Sequence, residues 1–361
     1  MLFSFIEFLN IRIYYFIKTK EYFMSVNLSV IEKVFEPIHE IINNSSKITI
    51  TTHVNPDGDA IGSTLAFYHY LISQKKECKI IIHSTIPYNF SFLEGSEYIS
   101  QYNDSFDDFI LSSDTIFVID LNDIERTKSP ADIIKKSKAK KVIIDHHINP
   151  KDFADVYLVD DNATSAGELV YYLIKSNDSF KFTSTISECL YAAIMTDTGT
   201  FRFPRTDGSI HRIIADLIDN GANPVYLYEK IYNTRPPRVV KLFGEAFAGL
   251  EILFDGKVCV MTLTREHFKR AGAKNEDVED IVEQSLTIKN VEIGILFSEI
   301  LDSDEIRISF RSKGDINIRE VAVKFNGGGH QHAAGARFYN ASIEEAKKLM
   351  LKEVGELITN Y

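Results

Sequence analysis

The sequence has little cysteine and a deficit of basic residues. Cys78, Cys189 and Cys259 are odd in number and far apart, which argues against both a disulfide framework and a zinc site. The 40 Lys and Arg residues stand against 51 Asp and Glu residues, giving a net charge of −11. Such a molecule repels polyanions, which excludes a groove for long duplex nucleic acid but not a local pocket for a small phosphate compound. We expect a protein of the reducing cytoplasm.

No hydrophobic run is long and uninterrupted enough to predict a membrane span. The first 23 residues are rich in Phe, Ile, Leu and Tyr, but Glu7, Asn10 and Arg12 interrupt them and no cleavage signal follows. We predict that residues 1–23 are a dispensable extension translated from an upstream start codon. The alternative is a weakly membrane-associating segment, which would carry the full-length chain into a membrane pellet on fractionation.

What the sequence does contain is the composition of a globular protein. The 361 residues are 45% hydrophobic and 25% charged, and this length corresponds to about two domains. Apolar runs at 47–52, 78–83, 115–120 and 141–145 alternate with helical patterns, which predicts an α/β fold with a doubly wound parallel sheet buried on both faces. Breaks at 221–224 and 234–237 predict a first domain over residues 24–235, a linker helix over 236–250 and a smaller α/β domain over 251–361.

Acidic and histidine side chains cluster where these strands and one helix end. In chain order the clusters are His53 with Asp57 and Asp59, then Asp120, then Asp145-His146-His147, then Asp197. Ligands of open α/β sheets bind beyond the carboxyl ends of the strands, so the topology predicts that the clusters converge. Carboxylates with imidazoles suit two divalent cations about 4 Å apart. Each cluster alone is equally compatible with a helix cap or a turn, and their joint order makes the prediction.

This order of residues resembles the DHH phosphoesterase superfamily, of which Asp145-His146-His147 is the name-giving signature. A second motif, Asn326-Gly327-Gly328-Gly329-His330 with Arg311-Ser312 upstream, resembles the loop of the DHH-associated C-terminal domain. That loop is found in nanoRNases of the NrnA type and in RecJ-like nucleases. Consecutive glycines let a backbone turn sharply and aim its N–H groups at an anion, whereas the loop by itself would pass for a plain glycine turn.

The resemblance implies a role for each matching residue. Two Mn²⁺ ions, with Mg²⁺ as the other candidate, would be held by His53, Asp57, Asp59, Asp120, His146 and Asp197. Asp120 would bridge the ions, with His53 and Asp57 toward one ion and Asp59, His146 and Asp197 toward the other. Asp145 would orient a neighbouring imidazole, and His147 would contact the scissile phosphate as hydrogen-bond donor or acid. The substrate would be held by Arg202, Arg311, Ser312, Gly327, Gly328, Gly329 and His330. The family also implies an active site in the cleft between the two domains and a homodimer.

Chain length and charge then favour one activity of the superfamily. RecJ-type exonucleases carry further domains for long single strands, and this sequence has no basic, aromatic stripe to bind one. The resemblance, together with this missing platform, implies metal-assisted hydrolysis of oligoribonucleotides about two to five residues long to mononucleotides. Removal of the 3′-phosphate from adenosine 3′,5′-bisphosphate is the expected second activity. Two alternatives stay open: a phosphodiesterase for cyclic di-AMP or linear dinucleotides, and a non-catalytic nucleotide-binding regulator.

Overall fold

A computed structural model describes residues 28–278 and 280–359. The prediction of a dispensable extension over residues 1–23 lies outside the described residues. The chain divides into two compact units, the first ending at Thr234 and the second beginning at Arg235. Within the described ranges, no helix is both long and apolar enough to cross a lipid bilayer.

The first unit is built on a six-stranded sheet in which every neighbouring pair is parallel. Its strands are β1 Lys47–Thr51, β2 Glu77–Ile82, β3 Ile99–Gln101, β4 Thr115–Ile119, β5 Lys140–Asp145 and β6 Val156–Val159. This sheet confirms the predicted fold class, and the four strands predicted for it end within one residue of the observed ends. Long runs of β-branched residues made these strands recognisable, because such side chains favour extended backbone.

Helices cover both faces of this sheet. They are α1 Leu28–Asn44, α2 Gly58–Ser73, α3 Asp107–Leu111, α4 Ala131–Lys136, α5 Ala166–Lys175, α6 Ser184–Asp197, α7 Gly208–Asp219 and α8 Pro224–Tyr232. Alternate residues of β4 show the arrangement: Phe117 and Ile119 join the core that includes α1, α2, α5 and α6, while Ile116 and Val118 join the core that includes α3 and α4. Burial on both faces explains why the strand is apolar throughout.

The strand order is β3-β2-β1-β4-β5-β6, so the direction in which the chain adds strands reverses between β1 and β4. Two loops that leave neighbouring strands in opposite directions open a crevice at that point, and open α/β sheets bind ligands there. His53 lies two residues beyond β1, and Asp120 directly follows β4. The topology therefore brings the first and second predicted clusters to the same crevice.

The second unit contains a mixed sheet of order β11-β12-β10-β9-β8-β7. Its strands are β7 Glu251–Leu253, β8 Val258–Leu263, β9 Ile293–Glu299, β10 Glu305–Ser312, β11 Gly328–Gly329 and β12 Ala333–Tyr339. Only β8 and β9 pair in parallel, and every other neighbouring pair is antiparallel. The helices are α9 Pro237–Ala248, α10 Arg265–Ala271, α11 Ile281–Ser285, α12 Arg319–Lys324 and α13 Ile343–Thr359.

Helix α9 covers most of the segment that the sequence analysis assigned to a linker, yet it packs within the second unit. Leu242 and Ala246 are fully buried and share a core with Met261 and Leu263 of β8. Arg238 donates from Nε and Nη2 to the two carboxylate oxygens of the buried Asp277, at 2.8 and 3.1 Å. A helix with its own apolar face and a paired buried charge behaves as a structural part of the unit rather than as a connector.

Candidate metal centre

The first ligand group forms where β1 gives way to α2. Asp57 caps α2, because its side chain accepts the backbone N–H of Ala60 at 3.0 Å. The Nδ1 atom of His53 lies 2.9 Å from the carbonyl oxygen of Val54, which makes Nδ1 the protonated nitrogen and turns Nε2 outward as an electron-pair donor. Nε2 of His53 lies 3.3 Å from Oδ2 of Asp120 and 4.0 Å from Oδ1 of Asp57.

Asp120 occupies the centre of the site in a backbone conformation that side chains rarely adopt. Its φ is 59°, although it is not a glycine, and its backbone N–H donates to the carbonyl of Ile144 at 2.8 Å. Such a conformation costs on the order of 1–3 kcal/mol and persists where the surrounding structure enforces it, often at functional sites. Asp120 is 1% exposed, and its Oδ1 accepts no hydrogen bond from the described residues.

The second ligand group forms around His146, which directly follows β5. Its Nε2 lies 3.3 Å from Oδ2 of Asp197, 3.5 Å from Oδ1 of Asp120 and 3.8 Å from Oδ2 of Asp59. Its other ring nitrogen, Nδ1, lies 3.4 Å from the carbonyl oxygen of Ala163. That contact favours the tautomer in which Nε2 carries the lone pair that a cation needs.

Close packing of α2 against α6 brings Asp59 and Asp197 together. A Cβ on Gly58 would lie 2.4 Å from Oγ1 of Thr196, and a Cβ on Gly62 would lie 2.4 Å from the carbonyl oxygen of Cys189. Both glycines are therefore required for this approach of the two helices. Asp59 lies in the first turn of α2, and Asp197 is the last residue of α6.

These side chains form groups whose geometry suits divalent cations. One group is His53, Asp57 and Asp120, a second is Asp59, His146 and Asp197, and a third is Asp120, His146 and His147; in each, one ligand atom per residue lies within 4.8 Å of the others. The first two groups have the membership that the sequence analysis assigned to two ions. Neighbouring ligands on an ion at about 2.1 Å stand about 3 Å apart, close to the spacings found here. The buried Oδ1 of Asp120, which accepts no hydrogen bond from the described residues, also fits a cation.

The charges of the site show what it does without a cation. Burial alone would lower the pKa of His53, but Asp120 and Asp57 outweigh it and raise it to about 9. Burial would also lower the pKa of His146, but the carboxylates of Asp197, Asp120 and Asp59 outweigh it. The pKa of His146 therefore lies well above its usual range. Burial and the neighbouring carboxylates hold the pKa of Asp59 well above normal. The site therefore takes up protons where cations would otherwise neutralise it.

Asp197 and Asp120 respond differently to the same surroundings. The Asp197 side chain is 31% exposed, yet enough protein surrounds it for burial to raise its pKa to about 7, against the charge of His146. Burial would also raise the pKa of Asp120, but the imidazoles of His146 and His53 hold it well below its usual range. Of Asp59, Asp120 and Asp197, Asp120 is therefore the one whose carboxyl group stays ionised, the state in which a carboxylate binds a cation.

We expect the metal-free protein to lose stability as pH rises from about 6.5 to about 9. Because the folded state raises the pKa of His53 from 6.5 to about 9, the stability that its proton contributes is complete below 6.5 and is lost as pH climbs through the folded value. Asp197 contributes at lower pH. Because the folded state raises the pKa of its carboxyl group from 3.8 to about 7, stability falls as pH rises between these two values. Thermal melts with EDTA across this range would measure the fall.

Saturating Mn²⁺ should flatten that pH dependence, because cations replace the protons of His53 and His146 and bind better once these are released. The His53→Gln variant removes one of the two titrating imidazoles and should show a shallower fall with EDTA. Equal slopes with EDTA and with Mn²⁺ would contradict a cation site at these residues.

Next to the ligand groups stands a buried carboxylate paired with an imidazole. Nδ1 of His147 lies 2.7 Å from Oδ1 of Asp145, which is completely buried at the end of β5. The same nitrogen lies 3.5 Å from Oδ1 of Asp120. A carboxylate at Nδ1 fixes the orientation of the ring and directs Nε2 away from it. The imidazole in contact with Asp145 is thus that of His147, and the orienting role that the resemblance implies for Asp145 stays a prediction.

The predicted substrate-binding residues fall in both units. Arg202 is exposed in the turn that follows α6, where its Nε donates to the carbonyl of Gly199 at 2.6 Å. Arg205, three residues later, donates from Nη1 to the carbonyl oxygen of Ala163 at 3.4 Å, the same oxygen that His146 approaches. Arg205 and His146 therefore approach the same backbone oxygen. Thr200, between Asp197 and Arg202, has a φ of 60°, which for a β-branched residue marks a constrained turn.

In the second unit the glycine motif forms a tight backbone contact. Strand β11 pairs with β12, and a Cβ on Gly327 would lie 2.1 Å from the carbonyl oxygen of Gly335. The amides of Gly327 and His330 donate to Ala322 and Ala333 within the unit. A Cβ on Gly328 would meet nothing within 4 Å, so this glycine leaves the backbone open to approach. Gly328 and Gly329 themselves pair with β12, so the expectation that the loop binds an anion through its amides stays a prediction.

The two predicted residues upstream of this loop differ in exposure. Arg311 is half-buried on β10 and donates from Nη1 to the carbonyl oxygen of Phe310 at 3.0 Å. Ser312 is buried, and its hydroxyl donates to the carbonyl of Ile316 at 2.7 Å. His332 lies 3.2 Å from the same hydroxyl through Nδ1. Ser312 thus already has a structural role in shaping the end of β10.

Sequence reasoning missed the segment from Ala163 to Glu168, which supports the site from behind. The N–H groups of Ala166 and Gly167, at the start of α5, donate to the two oxygens of Asp59 at 2.6 and 2.9 Å. The signal was present as the pattern Ser165-x-x-Glu168, which resembles a helix capping box and could have located the start of α5. Its link to Asp59, more than a hundred residues away, was not readable from local pattern.

Comparisons with known proteins agree with this architecture. The model of the DHH family N-terminal domain matches residues 47–194, and that of the DHHA1 domain matches residues 255–360. The chain is 30% identical to the bifunctional oligoribonuclease and PAP phosphatase NrnA of Bacillus subtilis, over 84% of this chain and 92% of that protein. It is 29% identical to the protein of the same name from Thermus thermophilus, over 86% and 90% of the two chains.

A solved structure shows the same likeness in three dimensions. The crystal structure of an exopolyphosphatase-related protein from Bacteroides fragilis superposes with a TM-score of 0.87 at 32% sequence identity. The match covers 90% of this chain and 96% of that one, so it includes both units.

Proposed function

This chain belongs to the DHH family of phosphoesterases, with a DHHA1 domain as its second unit, and from that premise we propose that it hydrolyses short oligoribonucleotides to mononucleotides with two Mn²⁺ ions. The observation that carries the proposal is the convergence of all six predicted ligands at the crevice between β1 and β4, in two groups that adjoin at Asp120. A degenerate regulator on the same fold would be expected to have lost at least one of them.

In this proposal His53, Asp57 and Asp120 hold one cation, and Asp59, Asp120, His146 and Asp197 hold the other. Two divalent cations at such a site supply an activated water and neutralise the charge that grows on the phosphoryl and leaving oxygens. The side chains do the rest: Asp120 joins the two groups, the tautomers of His53 and His146 present Nε2 to the cations, and Asp145 fixes the ring of His147. His147 then contacts the scissile phosphate and donates a proton to the leaving oxygen.

The choice of substrate rests on relatives and on charge. The Bacillus subtilis and Thermus thermophilus relatives are named as oligoribonucleases and PAP phosphatases, and they align over most of their length. A net charge of −11 opposes the binding of a long polyanion, whereas a short oligonucleotide carries few charges into a site that cations neutralise. We therefore include removal of the 3′-phosphate from adenosine 3′,5′-bisphosphate as a second activity. Magnesium is the other cation that this ligand set accepts.

The remaining parts of the proposal concern binding and assembly. We assign Arg202 in the first unit, and Arg311, Ser312, His330 and the glycines at 327–329 in the second, to the part of the substrate away from the scissile phosphate. Cationic and amide N–H donors are the groups that phosphates require. The proposed enzyme works in the cytoplasm as a homodimer, and its three cysteines, all free thiols, agree with a reducing compartment.

The test is a time course with Mn²⁺ on four substrates: a 5′-labelled RNA trimer, a long single-stranded RNA, adenosine 3′,5′-bisphosphate and cyclic di-AMP. We expect rapid loss of the trimer to mononucleotides, turnover of the bisphosphate, and slow attack on the long RNA. EDTA should stop every reaction, and added Mn²⁺ should restore it, because each step depends on the cations.

Other outcomes would replace the proposal by one of its alternatives. Preferential hydrolysis of cyclic di-AMP would assign the protein to second-messenger turnover with the same metal centre. Bound Mn²⁺ without turnover of any of the four substrates would indicate a nucleotide-binding regulator. Equal rates on the trimer and the long RNA would contradict the preference for short substrates.

A further inference from the structure

We propose that Glu168 is a positioning residue for the cation site formed by Asp59, His146 and Asp197. It would act by fastening the backbone segment from Ala163 to Gly167, called the 163–167 segment below, against which both Asp59 and His146 rest. This inference rests on the proposed function, because it concerns one of the two cation sites assigned there.

The 163–167 segment contacts two ligands of the same site through its backbone. Its carbonyl oxygen at Ala163 lies 3.4 Å from Nδ1 of His146. Its N–H groups at Ala166 and Gly167 donate to Oδ2 and Oδ1 of Asp59 at 2.6 and 2.9 Å. The backbone therefore sets both the tautomer of the imidazole and the orientation of the carboxylate. A displacement of this segment would move two of the three ligands of that group together.

Glu168 directly follows the 163–167 segment and hydrogen-bonds back to it at Thr164. Glu168 is 1% exposed. Its Oε2 accepts hydrogen bonds from the backbone N–H of Thr164 at 2.7 Å and from the Thr164 hydroxyl at 2.9 Å. The backbone N–H of Glu168 donates in turn to Oγ of Ser165 at 3.0 Å. A single buried side chain thus holds the loop that precedes α5 onto the first turn of that helix.

The packing behind the segment leaves it little freedom to compensate. A Cβ on Gly167 would lie 2.6 Å from Cβ of Ala193 and 3.2 Å from Oδ1 of Asp59. The segment is therefore pressed between α6 and the carboxylate that it orients. In a close-packed interior, loss of the fastening bonds at Thr164 shifts the loop rather than being absorbed by neighbours. Burial raises the pKa of Glu168 to about 7, against the hydrogen bonds from Thr164, so these bonds hold a group that is costly to bury.

The decisive experiment measures Mn²⁺ binding to the full-length chain by calorimetry, with the wild type beside Glu168→Ala and Glu168→Gln. We expect the wild type to bind two ions. Glu168→Ala should retain one ion with unchanged affinity and weaken the second by about 10–100-fold, the usual effect of losing the groups that support a metal ligand. Glu168→Gln should restore the second ion, because its amide oxygen accepts the same two hydrogen bonds from Thr164.

Asp114→Ala is the matched control. Its carboxylate also fastens a loop, accepting the backbone N–H groups of Ser46 and Lys47 at 2.7 and 2.9 Å, but it does so before the amino end of β4, away from the ligands that follow that strand. We expect Asp114→Ala to lower the melting temperature and leave both Mn²⁺ affinities unchanged. Equal loss of Mn²⁺ affinity in Asp114→Ala and Glu168→Ala would attribute the effect to general destabilisation and overturn the inference.

Should Glu168→Ala fail to fold, Thr164→Val gives the same answer on a smaller scale. It removes the hydroxyl donor, keeps the backbone N–H and nearly preserves the volume of the side chain. We expect a loss confined to the second ion, and equal affinity to the wild type for both ions would overturn the inference. A wild type that binds no Mn²⁺ would overturn the proposed function as well, whereas two unperturbed sites in all variants would overturn this inference alone.

Discussion

Replacing Asp120 by Asn is expected to lower the rate of RNA trimer hydrolysis by at least about 10²–10³, the loss that follows removal of one charge-stabilising group from an active site. Asp120 approaches both ligand groups: its Oδ2 lies 3.3 Å from Nε2 of His53, and its Oδ1 lies 3.5 Å from Nε2 of His146. An amide in its place can neither carry the negative charge nor bridge two cations. We expect the loss in the initial rate with saturating Mn²⁺, and calorimetry should show that binding of both ions weakens.

Asparagine is the right replacement because the backbone at this position has a φ of 59°. Asn tolerates this conformation about as well as Asp, so the variant should fold. Asp123→Asn is the matched control: it lies on the same loop, but its carboxylate pairs with Lys151 at 2.8 Å instead of with the ligand groups. Near wild-type activity in Asp120→Asn, or an equal loss in Asp123→Asn, would refute the assignment of Asp120.

Several residues of this site could be predicted to lie together because open parallel sheets bind ligands beyond the carboxyl ends of their strands. His53, Asp120 and His146 each follow a buried strand within two residues, and neighbouring parallel strands end at the same edge. A reader of the sequence needs only the strands to infer that these three residues meet. Asp197 was harder, because it ends a helix, and its approach to Asp59 depends on the glycines that let α2 and α6 pack closely.

What was not readable depends on contacts between distant segments of backbone. The N–H groups that orient Asp59 belong to Ala166 and Gly167, which follow it in the chain by 107 and 108 positions. No local pattern encodes that pairing. The same limit applies to the second unit. The short strand β11 and its pairing with β12 arise from glycines that permit close backbone approach. The sequence analysis interpreted the same glycines as an anion-binding loop or a plain turn, and did not predict a strand there.

Three unusual features of the first unit lie around the ligands of the candidate metal centre. The left-handed conformation of Asp120, the glycines between α2 and α6, and the buried carboxyl of Glu168 each carry a cost to folding that ordinary packing would avoid. Their common consequence is a cluster of carboxylates that protons neutralise in the absence of cations. A bound cation offsets the electrostatic cost of gathering these carboxylates, so the cluster that weakens the empty fold should strengthen the loaded one.

Replacing His147 by Gln should lower kcat for the RNA trimer by about 10²–10⁴, the contribution of a general acid, with little change in KM. In the proposed role His147 donates a proton to the leaving oxygen, and its ring is held by Asp145 through Nδ1 at 2.7 Å. The structure also offers a competing role, because His147 forms a third possible ligand group with Asp120 and His146. Calorimetry separates the two: an acid leaves both Mn²⁺ affinities intact when removed, whereas a ligand does not.

Asp145 supplies the last discrimination, since it should act only through His147. Asp145→Ala alone should lower kcat, because the imidazole loses the carboxylate that orients it. In the His147→Gln background the same change should cost almost nothing further, since two residues that act as a unit are not additive. Full additivity in this double-mutant cycle would mean that Asp145 serves the metal centre independently. In that case its buried Oδ2, which accepts no hydrogen bond from the described residues, would be the atom to examine as a further cation contact.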